Sequence, residues 1–287
     1  MFSVCALLYG DYPNLAKDLL SSLRYTAHIQ DIRLGLNAVS RETKEYVEGW
    51  ATKQMRSCPV YLYEEEQGKN LGKYPLMRQM FKDRQLAPKT MWFDDDSFLD
   101  ATYTDWWDKA LAMSQHHTQI GSLHKMPQQG LQYEVIVKQP WFTGKPFNNR
   151  SLYLFATGGW WVADTAFLAK WDYPFADLYH NGGDSILGEL IRQQGGSVSE
   201  FHKGVQCCCD SCLKNYIKLH AVVRINVGGR AGRRGIGKTS EQILWKDGNA
   251  TPSFEHQAFN LKITRYEKGG VEALEEGRSI QSLFLFR

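Results

Sequence analysis

Apolar, strand-like segments alternate with helix-like segments over the N-terminal third of the chain, and this alternation constrains the fold more than any other feature. Short runs rich in β-branched and aromatic residues predict strands at residues 2–9, 31–39, 59–66 and 89–93. Helical spacing of apolar residues between them predicts helices at residues 15–26, 40–55 and 74–84. Because such alternation is typical of mostly parallel sheets with helices on both faces, the sequence predicts an α/β fold.

The pattern is looser after residue 100. The elements predicted there are a helix at 101–115, a strand at 132–142, a strand interrupted at the GGWW sequence (158–161), a helix at 181–196 and a strand at 197–206. The alternation ends near residue 206, where a cysteine cluster and a Gly/Arg-rich stretch begin. We therefore predict an α/β domain over residues 1–206 and a C-terminal extension over residues 207–287.

The bulk composition sets limits on the class of protein. A chain of 287 residues with 43% hydrophobic residues can form one large α/β domain, or one domain plus an extension. The net charge of +3 is mild and excludes a general polycation. The segment from Arg224 to Lys238 nevertheless contains only basic charges, so it could contact phosphates or form a solvated, Gly-rich loop.

The N-terminus and the cysteines indicate a compartment. The first apolar run has no basic segment before it and is interrupted at Tyr9, Gly10 and Asp11, so it reads as a strand and not as a signal peptide. No stretch approaches the roughly 18 apolar residues of a membrane span. We expect a soluble, cytoplasmic protein whose clustered cysteines are thiols or metal ligands. A tetrahedral zinc site could be built from Cys207, Cys209, Cys212 and His220.

Three adjacent carboxylates, Asp94, Asp95 and Asp96, directly follow the apolar strand at residues 89–93. Open α/β sheets bind ligands at the carboxyl ends of their strands, so these charges are expected at the mouth of a cleft. Hard oxygen ligands suit Mg²⁺ or Mn²⁺, whose coordination is commonly completed by substrate phosphates. The alternative for the run taken alone is an exposed acidic turn.

Other charged groups could act in the same cleft. Asp184 stands at a Gly-flanked helix start, where it could be a general base or a simple N-cap. His202 falls within the last predicted strand, where a histidine is either structural or a ligand. Lys73 and Arg78 precede the aspartates and could meet a diphosphate.

The order of these pieces resembles the GT-A fold glycosyltransferases, and most closely their broad family-2-like group. The resemblance covers about residues 2–206 and rests on short motifs, namely an N-x-G-K segment, a DDD strand end, GGWW, GGD-x-x-LG and a late histidine. It implies a Rossmann-like sheet that binds a nucleotide-sugar.

The resemblance also implies roles for individual residues. Asp94 and Asp96, with the late His202, would bind the metal that chelates the diphosphate, and Asp95 would lie near the ribose or sugar. Asp184 would be the base of an inverting enzyme, although Gly183 stands where the family motif has a glutamate. The implied donor-binding residues are Tyr9, Gly10, Asp11, Asn70, Lys73, Asp95, Gly158, Gly159 and Trp160.

The sequence-based expectation is therefore a Mn²⁺- or Mg²⁺-dependent glycosyltransferase that moves a sugar from a nucleotide-sugar, with a UDP-sugar favoured, to an acceptor hydroxyl. The Arg/Gly stretch and possible zinc knuckle favour nucleic acid, and Trp160 and Trp161 could stack on a base. The layout also resembles glycosyltransferases that act on hydroxylated pyrimidines in viral DNA, so DNA is the expected acceptor. The alternative is a saccharide or protein acceptor.

Three other functions compete with this interpretation. A sugar-phosphate nucleotidyltransferase shares the layout but normally has a Gly-rich loop after the first strand, which is absent here. A nucleic-acid-binding module could be built around residues 207–238. The GRRGIGKT sequence at residues 232–239 fits a phosphate-loop pattern, but only 48 residues follow it, and no later apolar strand ends in aspartate. We interpret that match as fortuitous.

Overall fold

The protein is described here from a computed structural model. The described residues are 1–10, 12–23, 26–64, 70–95, 97–99, 103–127, 136–146, 152–178, 182–201 and 205–207. Cys207 is thus the last described residue, and the predicted domain boundary near 206 stays a prediction. No helix within these ranges is long and apolar enough to cross a membrane.

The described residues form strands and helices that alternate as predicted over the first part of the chain. The strands are β1 (Phe2–Tyr9), β2 (Ile29–Asn37), β3 (Val60–Tyr63), β4 (Lys89–Asp94), β5 (Ser97–Leu99), β6 (Gln119–Pro127), β7 (Leu152–Asp164), β8 (Val198–Glu200) and β9 (Val205–Cys207). The helices are α1 (Pro13–Ser22), α2 (Arg41–Gln54), α3 (Lys73–Lys82), α4 (Trp106–His116), α5 (Thr165–Lys170) and α6 (Gly183–Gln193).

Seven strands form one sheet in the order β3-β2-β1-β4-β7-β6-β8. The pairings among β1, β2, β3 and β4 are all parallel, and β6 is parallel to β8. Only β7 runs against its two neighbours, β4 and β6. The predicted mostly parallel α/β sheet is therefore confirmed, and the carboxyl ends of β1, β2 and β4 meet at one edge.

Side chains alternate between two cores, one on each face of the sheet. Helices α1, α2 and α4 cover the first core, and α3, α5 and α6 cover the second. Phe93 stacks on Trp160 in the first core at a ring-centroid distance of 6.4 Å, and Trp92 stacks on Trp161 in the second at 6.3 Å. Because neighbouring residues of a strand point to opposite faces, both strands can carry consecutive aromatic residues and bury all of them.

Helix α3 is fixed against the sheet by contacts at two places. Gly35 of β2 allows the close approach, since a Cβ there would lie 2.9 Å from a methyl carbon of Leu76. The guanidinium of Arg33, which is fully buried, donates to the carbonyl oxygens of Met80 (2.5 Å) and Gln85 (2.8 Å) near the end of the helix. A buried cation thus satisfies carbonyl groups at the C-terminus of α3.

Two strand predictions were wrong. Residues 137–141, within the predicted strand at 132–142, form turns, and residues 132–135 lie outside the described ranges. β6 lies earlier, at Gln119–Pro127. The β6 sequence is polar and contains Gly121, so its strand propensity is weak. Its pairing with β7 requires that glycine, because a Cβ would lie 2.9 Å from the Cβ of Ala156.

The second error concerns residues 197–206, which form two short strands instead of one. β8 pairs with β6, whereas β9 pairs with β5 in a separate two-stranded sheet. Phe201 lies between them and packs against Trp106 and Trp160. The predicted break at Gly158 and Gly159 is an irregularity within a continuous β7, where the register against β6 shifts.

Alanine should have opposite effects on stability at two helical glycines, Gly188 in α6, which packs on β7, and Gly49 in α2. A Cβ on Gly188 would lie 2.4 Å from the Cβ of Phe155 and 2.5 Å from the carbonyl oxygen of Leu154, whereas a Cβ on Gly49 in α2 has open space. We expect Gly188→Ala to lower the free energy of unfolding by roughly 1–3 kcal/mol through overpacking. Gly49→Ala should raise it by about 0.5–1 kcal/mol through helix propensity. Urea denaturation measures both, and a stabilising Gly188→Ala would contradict the packing described.

Candidate active site

The two described aspartates at the end of β4 are each compensated by a partner. One carboxylate oxygen of Asp94 accepts a hydrogen bond from the ammonium of Lys73, and the other accepts from the indole N–H of Trp92, both at 2.9 Å. Asp95 is 3% exposed, and its carboxylate accepts from the backbone N–H of Tyr9 at 3.1 Å. Strand β4 can therefore end on adjacent negative charges because neighbouring elements supply a cation and hydrogen-bond donors.

Lys73 is an unusual lysine because its side chain is only 10% exposed. Besides Asp94, its ammonium lies 5.6 Å from the ring centre of Trp92 and 5.8 Å from that of Tyr74. The aromatic faces and the carboxylate replace part of the water that the charge loses on burial. The cation is thus fixed at the carboxyl end of the sheet.

A polar network joins the end of β1 to the segment before α3. Asn37, the last residue of β2, donates its amide to the side-chain oxygen of Asn70 (3.1 Å), and Asn70 donates in turn to the hydroxyl of Tyr9 (3.2 Å). The side-chain oxygen of Asn37 also accepts from the N–H of Leu71 (2.9 Å). Gly10 continues this edge with a φ of +71°, which favours glycine.

The structure therefore brings five predicted donor-binding residues into one group: Tyr9, Gly10, Asn70, Lys73 and Asp95. Asn37 was missed by the sequence analysis, although an asparagine at the end of a strand beside β1 was an available signal. Whether these side chains bind a nucleoside stays a prediction.

Asp184 lies in the first turn of α6, and both preceding glycines have a structural reason. Gly182, at the N-cap, has a φ of +79°. Gly183 is required by packing, since a Cβ there would lie 2.2 Å from the Cζ atom of Tyr74. The backbone N–H of Asp184 donates to the Tyr74 hydroxyl at 3.1 Å, and the Tyr173 hydroxyl donates to the carbonyl of Gly183 at the same distance.

Asp94 and Asp184 act on the same two hydroxyl groups. Burial raises the pKa of both Tyr74 and Tyr173 well above the ordinary value, and the charges of Asp184 and Asp94 raise it further. Both tyrosines therefore stay protonated at neutral pH. Adjacent residues of α3 connect the two places, since Lys73 pairs with Asp94 at the strand end and Tyr74 accepts from the N–H of Asp184 at the start of α6.

Arg78 does not face this site, and its predicted role toward a diphosphate is wrong. Its guanidinium donates to the carboxylate of Asp172 (2.8 Å) and to the carbonyl oxygens of Asp172 (3.1 Å) and Pro174 (2.6 Å). Lys82 also pairs with Asp172. Arg78 is one α-helical turn beyond Tyr74, so it binds the neighbouring turn at residues 172–174, which positions Tyr173.

The two tryptophans of the GGWW sequence are core residues. Trp160 is fully buried among Phe93, Trp106 and other aromatic rings, and Trp161 is 1% exposed on the opposite face. The expectation that they stack on an acceptor is therefore wrong, because neither ring presents a free face. Trp160 pairs with Phe93 across the sheet, so the backbone of Gly158–Gly159 lies beside the Asp94 end of β4. A donor-binding role for this backbone remains a prediction.

Several predicted ligands lie outside the described residues: Asp11, Asp96, His202, Cys209, Cys212 and His220. Among the residues that the structure does describe, no three His, Cys, Asp or Glu side chains converge as a metal site. The backbone of Cys207, in β9, pairs with Ser97 directly after Asp96. This pairing places β9, which follows His202 in the sequence, beside β5, which follows the acidic run. The zinc site stays a prediction.

The sheet order, its one antiparallel strand and the helices on both faces define the GT-A fold, and comparison with solved structures agrees. No protein-family model matches the chain, and no curated protein matches it in sequence. GalNAc-T7, solved with UDP, GalNAc and Mn²⁺, matches with a TM-score of 0.50 and 13% identity, over 69% of this chain and 41% of that one.

Two further structures are similar at lower TM-scores. The mannosyltransferase PcManGT from Pyrobaculum calidifontis matches with 0.48 and 15% identity, over 70% of this chain and 54% of that one. Residues 1–349 of TarS from S. aureus match with 0.47 and 17% identity, over 70% and 57%. The chain thus spans about half of the length of these proteins. The likeness to GalNAc-T7, at 13% identity, shows the fold alone.

We expect the stability of the turn that carries Tyr173 to depend on pH. Hydrogen bonds from Arg78 and Lys82 lower the pKa of Asp172. Its contribution to stability is therefore complete above the unfolded-state pKa of about 3.9 and is lost as the pH falls through the lowered folded-state pKa. Because the Asp172 side chain is 57% exposed, we expect Asp172→Asn to cost at most about 1 kcal/mol at neutral pH.

Asparagine suits this test because it tolerates the φ of +53° at position 172. Urea unfolding of wild type and Asp172→Asn should show a gap at neutral pH that closes in strong acid. A gap that is unchanged in acid would contradict the ion-pair assignment.

Proposed function

We propose that this protein is a metal-dependent glycosyltransferase that transfers a sugar from a nucleotide-sugar to an acceptor hydroxyl. The observation that carries the proposal is the pairing of Lys73 with Asp94 at the strand ends, together with the contact of the next residue, Tyr74, to the backbone of Asp184 at the start of α6. The pair of Lys73 and Asp94 suits an anionic diphosphate and its metal, and the carboxylate of Asp184 suits a general base. The GT-A fold supports this reaction over unrelated chemistry.

The donor would lie along the edge formed by β1, β2 and β4. Tyr9, Asn37 and Asn70 offer hydrogen-bonding groups for a nucleoside, and the Lys73 ammonium offers a charge for the diphosphate. GalNAc-T7 was solved with UDP, which supports a uridine nucleotide.

The metal would be held by Asp94, Asp96 and His202. The described member of this set, Asp94, fits because its carboxylate stands at the end of β4, at the carboxyl edge of the sheet and beside the Lys73 ammonium. Oxygen-rich ligands favour Mn²⁺ or Mg²⁺ over softer metals. When bound, such a metal compensates the charge of the departing nucleoside diphosphate.

Asp184 would act as general base. It would remove the acceptor hydroxyl proton while the acceptor oxygen bonds to the anomeric carbon of the sugar and the bond from that carbon to the diphosphate breaks. The protonated Asp184 and the nucleoside diphosphate are then the remaining products of the step. A single displacement of this kind inverts the anomeric configuration.

One of the arguments for a DNA acceptor does not hold in the structure. Burial of Trp160 and Trp161 removes the aromatic face that favoured a DNA base, and the Arg/Gly stretch from Arg224 to Lys238 lies outside the described residues. A hydroxyl of a modified pyrimidine in DNA remains one acceptor to test, and a saccharide or protein hydroxyl is the alternative. A gel shift with duplex DNA at two salt concentrations separates them, because phosphate contacts weaken as salt rises.

The metal site yields the first functional prediction. Isothermal titration should detect UDP binding that depends on Mn²⁺, and Asp96→Ala should abolish both this binding and sugar transfer. Asp108→Ala, an exposed carboxylate on α4 whose side chain is 77% accessible, is the control and should behave as wild type. Near wild-type transfer by Asp96→Ala would contradict the proposal. Pyrophosphate released from UTP and a sugar 1-phosphate would instead indicate a nucleotidyltransferase.

The proposed role of Asp184 as general base yields the second functional prediction. Asp184→Asn keeps the backbone contact to Tyr74 but cannot accept the proton, so kcat should fall by roughly 10²–10⁴ while donor affinity changes little. Steady-state kinetics and UDP titration separate these quantities. A large loss of donor affinity with an unchanged kcat would assign Asp184 to binding and not to proton transfer.

A further inference from the structure

Helix α3 contacts two parts of the candidate site and, one turn farther along, the segment that carries Tyr173. Lys73 pairs with Asp94 at the end of β4, Tyr74 accepts from the N–H of Asp184, and Arg78 binds the turn at residues 172–174. One rigid helix therefore connects the donor side of the site to the base side. Of these contacts, the one to Asp184 involves the backbone of the proposed base.

The N–H of Asp184 needs a partner from outside α6. The first backbone N–H groups of a helix have no acceptor within the helix, and a side chain at the N-cap commonly supplies one. The N-cap here is Gly182, which has no side chain to offer. The hydroxyl of Tyr74, 110 residues earlier in the chain, takes this role.

The contact leaves little freedom for the backbone at residues 183–184. Tyr74 is 2% exposed, and its ring lies so close to Gly183 that any side chain there would overlap it. Tyr173 meets Tyr74 edge-on at a centroid distance of 6.4 Å and donates to the carbonyl of Gly183. One tyrosine thus accepts from this backbone and the other donates to it. Both hydroxyls are protonated at neutral pH, so the arrangement persists there.

We propose that Tyr74 is a positioning residue that sets the orientation of Asp184 and joins it to the donor-binding cation on the preceding residue. This inference rests on the proposed function, since it assigns Tyr74 an effect on the base. Tyr74 need not touch the sugar or the acceptor. It acts because the Asp184 carboxylate is attached to a backbone segment that the two tyrosines hold.

The kinetic test compares Tyr74→Phe with Tyr63→Phe. Phenylalanine keeps the ring packing and removes only the hydroxyl, and Tyr63 is the matched control because its hydroxyl donates to Asp83 at the other end of α3. We expect Tyr74→Phe to lower kcat about tenfold, on the scale of one lost hydrogen bond, with KM for the donor and UDP affinity within about twofold of wild type. Tyr63→Phe should leave both unchanged.

A double-mutant cycle tests whether Tyr74 acts through Asp184. In the Asp184→Asn background, Tyr74→Phe should change kcat by less than about twofold, because the base it positions is already absent. An equal loss in both backgrounds would overturn the positioning role. If wild type lacks Mn²⁺-dependent UDP binding and transfer, the proposed function fails, and this outcome is distinct from a normal wild type with an inert Tyr74→Phe.

Amide hydrogen exchange tests the role of Tyr74 without any turnover. Amide hydrogen exchange at Asp184 should be faster in Tyr74→Phe than in wild type or Tyr63→Phe, because its hydrogen-bond acceptor is removed. The amides in the middle of α6 should exchange at wild-type rates. Unchanged exchange at Asp184 would overturn the inference, and faster exchange throughout α6 would replace it with general destabilisation of the helix.

Discussion

The ion pair between Lys73 and Asp94 is the contact on which the rest of the site depends. A buried strand that ends on adjacent carboxylates needs nearby positive charge, and the ammonium of Lys73 supplies it from the first residue of α3. This requirement brings the start of α3 to the end of β4. Tyr74, the next residue, is then in place to meet the backbone of Asp184. Charge compensation at one strand end thereby brings together groups that are far apart in the sequence.

The first half of the sheet was predictable because its signals are local. β1 and β4 are apolar runs of strand length, and Ser40 caps α2 by accepting from the N–H of Thr43, as the capping pattern indicated. β6 was not predictable in this way, because a polar segment with a glycine becomes a strand only through its pairing with β7 and β8. The apolar segment at 132–142 attracted the strand prediction instead.

The site shows the same division between local and distant causes. The edge of the sheet was predictable because the carboxyl ends of parallel strands carry ligands, and Asp94 ends such a strand. Trp160 and Trp161 were predicted to meet the acceptor because an aromatic face can stack on a base, yet a strand covered on both faces buries both rings. Tyr74 was missed because its role depends on a partner 110 residues later. No local pattern marks a tyrosine that caps another helix.

The central claim is that the strand ends around Asp94 bind a nucleoside diphosphate and a divalent metal. The most direct measurement is a crystal structure of the full chain with UDP and Mn²⁺. We expect Mn²⁺ about 2.0–2.3 Å from carboxylate oxygens of the acidic run. We also expect a diphosphate oxygen within hydrogen-bond distance of the Lys73 ammonium. Nucleotide density at the Gly232–Thr239 segment, with none at the ends of β1 and β4, would contradict it.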